Sequence, residues 1–108
     1  MPYAERAEVS LRKLREYCLD PLHAEGKHKA RVFASALGMT AADAETLRAL
    51  LLEAVRTSDV ELGSRDRYGQ RFTLDMSVEW RERHAIIRSG WILEHSSNVP
   101  RLTSCYVL

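Results

Sequence analysis

Two histidines, two lysines and an arginine fall within the nine residues from 23 to 31, with a glycine among them. An apolar helical pattern follows at once, which places the cluster at a helix start, where backbone N–H groups without partners favour anions. Imidazole groups also exchange protons near neutral pH. The pattern predicts a site that holds an anion and moves a proton. We call this stretch the His/Lys segment; its polar members are His23, Glu25, Lys27, His28, Lys29 and Arg31.

The same cations also fit a simpler interpretation, a solvated and basic first turn of a helix. Side chains advance by about 100° per helical residue, so Lys27 and Arg31 share one face while Lys29 points elsewhere. Positive charge at a helix N-terminus opposes the helix dipole unless an anion or a carboxylate lies nearby. The sequence leaves both interpretations open.

The composition is that of one globular domain. The chain has 108 residues, of which 45% are hydrophobic and 29% are charged, and its formal net charge is +1. This length predicts a single domain, residues 1–108, with a core of its own. Broad nucleic-acid-binding surfaces are usually more basic, so any phosphate site must be local.

Several common sites are excluded by spacing. Gly26-Lys27 does not form a P-loop, because a preceding strand, a second glycine and a following Ser or Thr are all missing. His23 and His28 lack the HExxH spacing of a zinc site, and we expect neither a metal nor a cofactor. The Gly-x-Ser-x-Gly motif of serine hydrolases is also missing.

Location is inferred from hydropathy. No apolar run approaches the roughly 18–20 residues of a membrane helix, and the N-terminal residues lack the apolar core of a signal peptide. We expect a cytoplasmic protein with no membrane partner. Cys18 and Cys105 lack zinc-ligand spacing and are expected to be buried free thiols in a reducing cytosol.

Three stretches have the 3.6-residue period of amphipathic helices. They are residues 4–18, roughly 27–37 and about 41–57. Residues 20–26 form a loop between the first two helices. The predicted boundary residues are Pro21 after the first helix, Gly38 as the C-cap of the second, and Thr40 with Asp43 as a near capping box of the third.

The period then changes to two. Apolar and polar residues alternate over 72–80, and further strands are predicted over 84–95 and 101–108, with a short edge strand near 60–62. Helices followed by an antiparallel meander imply an α+β fold. We expect two or three N-terminal helices packed on one face of a three- to four-stranded antiparallel sheet.

The strands contain further candidates. Trp91 follows a glycine inside the second strand and either stacks a base or belongs to the core. Simple alternation in the last strand places Arg101, Thr103 and Cys105 on one face and Leu102 on the other. Arg101 and Thr103 then form a phosphate-contacting pair, or the segment is an ordinary Thr/Ser-rich strand.

Several short sequence motifs are distributed along most of the chain, from about residue 11 to 108. The most specific is His-x-x-Gly-Lys-x-Lys-Ala, beginning at His23; the others are Tyr17 to Leu22, Leu37-Gly38, Tyr68-Gly69, Trp91-Ile92 and Pro100 to Ser104. This set resembles an uncharacterised bacterial domain family. Its members look like small stand-alone proteins or the C-terminal tips of polymorphic toxins.

More distantly, the order of helices followed by an antiparallel sheet is similar to that of the barnase–EndoU–colicin–RelE group of metal-independent ribonucleases, a likeness by analogy of fold. That resemblance implies a cleft where basic helical residues meet polar sheet residues. RNA cleavage there needs a base for the 2′-hydroxyl proton, an acid for the leaving oxygen and cations for the transition state. The predicted catalytic residues are His23, Lys27, His28, Lys29 and Thr103, and the predicted substrate-binding residues are Arg31, Trp91, Arg101 and Ser104.

The leading hypothesis is a toxin-type endoribonuclease domain that acts on RNA and is blocked by a neighbouring antitoxin or immunity protein. The alternative is a non-enzymatic interaction module, such as an antitoxin or an adaptor. A third possibility is a degenerate fold that binds RNA without cutting it, in a salt-sensitive manner.

Overall fold

The computed structural model describes residues 1–108 and has the expected α+β arrangement, with helices preceding an antiparallel sheet. The helices are α1 (Leu11–Lys13), which continues as a π-helical segment (Leu14–Cys18), α2 (Lys27–Leu37) and α3 (Ala44–Thr57). The strands are β1 (Glu61–Arg65), β2 (Gly69–Trp80), β3 (Arg83–Glu94) and β4 (Arg101–Val107), adjacent in that order. No helix is at once long enough and apolar enough to span a bilayer.

The sheet has one face against the helices and one face in contact with solvent. In β2 the buried side chains are Phe72, Leu74, Met76 and Val78, and they belong to one core cluster with residues of all three helical regions. On the other face, Arg88 donates two hydrogen bonds to Asp75, at 2.8 and 2.9 Å. The predicted alternation over 72–80 is confirmed, because a half-buried strand must alternate.

Helices α2 and α3 begin and end close to the predicted positions. Gly38 caps α2 with a φ of 72°, a left-handed conformation that a glycine adopts without steric cost. A 3-10 turn (Ala41–Asp43) leads into α3 and carries the expected capping box, in which the backbone N–H of Thr40 donates to Asp43 Oδ2 at 2.9 Å. These boundaries depend on residues within one helical turn.

The predicted helix over 4–18 is wrong in its first half. A 3-10 turn covers Ala4–Arg6, and the chain then runs extended to Ser10, whose hydroxyl caps α1. Glu8 lies beside Arg101 in a short parallel bridge. Buried and exposed residues alternate from Ala7 to Ser10, a period of two that the helical interpretation overlooked.

The alternation expected for the last strand is also wrong, because β4 contains a bulge. Gly90 pairs with Ser104 and Trp91 pairs with Leu102, which leaves Thr103 as an extra residue. The bulge reverses the faces of β4, so that Leu102 and Cys105 are both buried. Arg101 pairs with Ile92, and a Cβ atom built on Gly90, on the same face of β3, would lie 3.2 Å from Thr103 Oγ1 and 2.6 Å from Ser104 Oγ. Arg101 and Thr103 therefore share a face, as predicted, and the bulge adds Ser104 to it and moves Cys105 off it.

Candidate functional site

A pocket of about 380 Å³ opens where the helical layer meets β4, the strand at one edge of the sheet. Its wall combines two amines, a phenol, two hydroxyls and a thiol. We call it the lysine pocket; it is lined by Lys13, Tyr17, Lys29, Thr103, Ser104 and Cys105. The pocket therefore unites predicted residues from the His/Lys segment and from the last strand.

Three elements supply these side chains. Lys13 and Tyr17 are four residues apart at the junction of α1 and its π-helical segment, and that spacing places them on one side of the helix. Lys29 comes from the first turn of α2. Thr103 and Ser104 both line the pocket because the β4 bulge turns two consecutive side chains toward it.

Gly26 allows these helices to approach each other. A Cβ atom built on Gly26 would lie 2.5 Å from the carbonyl oxygen of Tyr17, closer than a real side chain tolerates. The absence of a side chain therefore lets the start of α2 lie directly against the π-helical segment. This close approach places Lys29 in the same pocket as Lys13 and Tyr17.

The lysine pocket is cationic because its amines have no carboxylate partner. The chain has three lysines, and arginines form all six ion pairs of the structure. Lys29 Nζ instead lies 4.5 Å from the centroid of the Tyr106 ring, a cation–π contact. Lys13 and Lys29 thus present positive charge in a recess that also offers hydroxyl donors.

Two thiols lie beneath this charge. Burial raises the pKa of Cys105, and the neighbouring Cys18 adds to the rise. Burial also raises the pKa of Cys18, although the charges of Lys13 and Lys29 oppose that rise. Both cysteines are buried and free, as the sequence predicted. Both are therefore protonated thiols at neutral pH rather than nucleophilic thiolates.

His23 lies beside the pocket and supports its wall. Its ring meets the Tyr17 ring edge-on, with 4.6 Å between the centroids. The Nδ1 atom accepts hydrogen bonds from the backbone N–H groups of Glu25 and Gly26, both at 3.0 Å. The ring proton of neutral His23 therefore lies on Nε2, and Nδ1 is not free to accept a proton from a ligand.

The rest of the His/Lys segment points away from the lysine pocket. His28 is exposed on α2 and, like Lys27, lies outside the lysine pocket. Arg31 faces the other side of α2, where it borders an apolar groove of about 370 Å³. The structure thus separates Lys29 from its neighbours Lys27 and His28, as the advance of about 100° per residue requires.

Two strand residues that were predicted to bind the substrate lie outside the lysine pocket. Trp91 is completely buried and its Nε1 donates to Ser89 Oγ at 2.9 Å, so it is a core residue and the predicted base stacking is wrong. Arg101 pairs with Glu94 at 2.8 Å and lines a neighbouring pocket rather than the lysine pocket.

Sequence reasoning missed Lys13 and Tyr17. One signal was available, because Lys13 is one of only three lysines in the chain and stands four residues before Tyr17 on a predicted helix. Tyr17 also opens one of the motifs used for the family resemblance. Neither signal shows that the two side chains meet Lys29, which depends on the packing of α2 against the π-helical segment.

The fold and the pocket define a small α+β protein with a cationic, hydroxyl-lined recess at the edge of an antiparallel sheet. The chain belongs to a family described as "Domain of unknown function (DUF6883)", whose sequence model matches residues 1–108. The expectation of an uncharacterised domain family is thereby confirmed. No curated protein and no solved structure matches the chain. The relationship to toxins and ribonucleases stays a prediction.

Proposed function

We propose that this protein is a toxin-type endoribonuclease that cuts RNA without a metal ion at the lysine pocket. One observation carries the proposal: Lys13 and Lys29, both without carboxylate partners, share a recess of about 380 Å³ with Tyr17 and the hydroxyls of β4. This combination suits a phosphodiester, since ammonium groups bind phosphate and hydroxyls donate to its oxygens.

The reaction is attack of an RNA 2′-hydroxyl on the adjacent phosphorus, with departure of the 5′-oxygen. Negative charge builds up on the phosphate oxygens in the transition state, where preorganised cations and donors stabilise it most. Lys29 supplies a charge held against the Tyr106 ring, and Thr103 and Ser104 supply hydrogen-bond donors. Lys13 and Tyr17 are the remaining groups able to exchange protons.

This assignment changes the role expected for the histidines. His23 contacts Tyr17 but uses Nδ1 to bind the backbone, so it positions the phenol instead of accepting the 2′-hydroxyl proton. The proton exchange falls to Lys13 and Tyr17, which line the pocket.

The test uses two lysines of the same helix. Lys29→Ala removes an amine from the lysine pocket, whereas Lys27→Ala removes one of equal charge that lies outside it. Bacteria expressing the wild-type chain or Lys27→Ala are expected to stop growing and to accumulate RNA fragments. Lys29→Ala is expected to lower the rate of cleavage by purified protein about 10²–10³-fold, because one transition-state cation is lost.

The chemistry is checked with purified protein in excess chelator. RNA is expected to be cut, and an RNA with a single 2′-deoxynucleotide at the cleavage position is expected to resist. Intact RNA with wild-type protein at matched soluble expression would contradict the proposal, as would equal loss of activity in Lys27→Ala and Lys29→Ala.

A second candidate function is a non-enzymatic interaction module, and the apolar groove beside α2 favours it. Leu19, Ala30 and Met39 line this groove. Leu22, three residues after Leu19 in the chain, is 89% exposed. Under the leading proposal, an antitoxin or immunity protein is the partner. An adaptor would express freely in bacteria, whereas a toxin without its partner would not.

A further inference from the structure

A second recess, of about 450 Å³, adjoins the lysine pocket, and apart from the shared Lys13 none of its side chains takes part in the proposed cleavage step. We call it the arginine pocket; it is lined by Glu8, Val9, Ser10, Lys13, Arg48, Arg101 and Leu102. It forms where the extended N-terminal segment, α1, α3 and the beginning of β4 meet. Lys13 lines both recesses, so the two recesses meet at this side chain.

The charges of the arginine pocket favour an anion. It contains three cationic side chains and one carboxylate, that of Glu8. Arg101 is partly neutralised by Glu94, but Arg48 takes part in no ion pair. Arg48 Nε donates to the carbonyl oxygen of Val9 at 3.0 Å, which anchors the guanidinium and leaves its terminal N–H groups for a ligand.

We propose that the arginine pocket binds the phosphate adjacent to the one cleaved, so that the substrate is single-stranded RNA held by two consecutive phosphates. This inference rests on the proposed function and adds a binding subsite to it. A flexible single strand can place successive phosphates in two neighbouring recesses, whereas a duplex holds its phosphates on a stiff rod. Lys13 lies between the two sites and contacts both phosphates.

The experiment measures binding of uncleavable 2′-O-methyl trinucleotides, which contain two phosphates. In two further trinucleotides, one or the other phosphate is replaced by a neutral methylphosphonate. Wild-type protein is expected to bind each of these about tenfold more weakly than the parent, the typical effect of one lost charge-assisted contact. For single strands, the dependence of log K on log salt is expected to be shallower by about 0.7 for each phosphate lost.

The variants identify which phosphate lies in the arginine pocket. Arg48→Gln is expected to weaken binding of the parent trinucleotide about tenfold. It is also expected to remove the loss of affinity for only one of the two methylphosphonate trinucleotides. Arg101→Gln tests the same pocket without disturbing the bond between Arg48 and Val9. Arg56→Gln is the matched control. Like Arg48, Arg56 lies on α3; it is exposed near the end of that helix and lines neither pocket.

The outcomes separate this inference from the function on which it rests. Suppose that wild-type protein cuts RNA, but that both methylphosphonate trinucleotides keep their full loss of affinity in Arg48→Gln and Arg101→Gln. The second subsite is then wrong and the proposed ribonuclease function stands. If wild-type protein neither cuts RNA nor binds the trinucleotide, the proposed function fails and the subsite fails with it.

Discussion

Lys29 shows how much a single rotation around a helix decides. It lies two residues from Lys27 and next to His28, yet only Lys29 lines the lysine pocket. Its amine rests on the Tyr106 ring, which holds the charge in place without neutralising it. A histidine-based site was the natural expectation from residue types, but the geometry favours lysine and phenol groups.

The first prediction, at the residue scale, concerns the thiols. Because burial raises the pKa of both Cys18 and Cys105, each is expected to be protonated and shielded at pH 8. Alkylation by iodoacetamide is expected to be more than about tenfold slower in the folded protein than in urea. Mass spectrometry of both samples checks this. Equal rates in the two states would mean that the thiols are not buried.

At the scale of elements, the site depends on two irregularities. One is the bulge in β4, which directs Thr103 and Ser104 toward the same pocket. The other is the contact between Gly26 and the π-helical segment, which places α2 beside Tyr17. Neither irregularity extends beyond a few residues, but each decides which side chains meet.

The second prediction follows from the Gly26 contact. Gly26 has a φ of −88°, which any residue adopts, so the effect of Gly26→Ala comes from the 2.5 Å clash with Tyr17 alone. We expect a loss of about 1–3 kcal/mol in the free energy of unfolding, typical of overpacking. Urea unfolding measures it.

The control for this substitution is Ala24→Ser, in the same loop. Ala24 is exposed, and a surface change of this kind usually stays within about 0.5 kcal/mol. A Gly26→Ala variant as stable as the control would show that the two helices are further apart than described here.

At the scale of the molecule, the charges divide by face. The solvent-exposed face of the sheet carries paired charges, including Asp75 with Arg88 and Glu94 with Arg101. The lysine pocket at the sheet edge carries unpaired positive charge. A net charge of only +1 can therefore coexist with a local anion site.

A third prediction concerns acid stability. The hydrogen bonds from Arg88 lower the pKa of Asp75 below its ordinary value. A carboxylate with a lowered folded-state pKa adds stability above its unfolded pKa of about 3.9, and this is lost as the pH falls through the folded pKa. The urea midpoint is therefore expected to fall between about pH 5 and pH 2, and less steeply in Asp75→Asn.

The pair is exposed, so the difference is expected to be under about 1 kcal/mol. Asp59→Asn is the control, since Asp59 is exposed and belongs to no ion pair. If Asp59→Asn and Asp75→Asn flatten the acid transition equally, the stabilising role of the Asp75–Arg88 pair is wrong.

Local sequence patterns were enough to predict most of the helices and strands. The spacing of apolar residues predicted α2, and the alternation over 72–80 predicted all of β2 except its first three residues. Gly38 and the Thr40–Asp43 capping box marked helix ends correctly. Each of these signals acts within about one turn or a few residues, a range that a sequence displays directly.

The site, in contrast, depended on contacts between residues distant in the chain. Lys29 was predicted for the site, and so were Thr103 and Ser104, but their partners Lys13 and Tyr17 were not. Residue types along the chain were visible from the start and indicated a local anion site. Which of them share a pocket was decided by the β4 bulge and the close packing at Gly26, because register and helix approach arise only when the whole core is assembled.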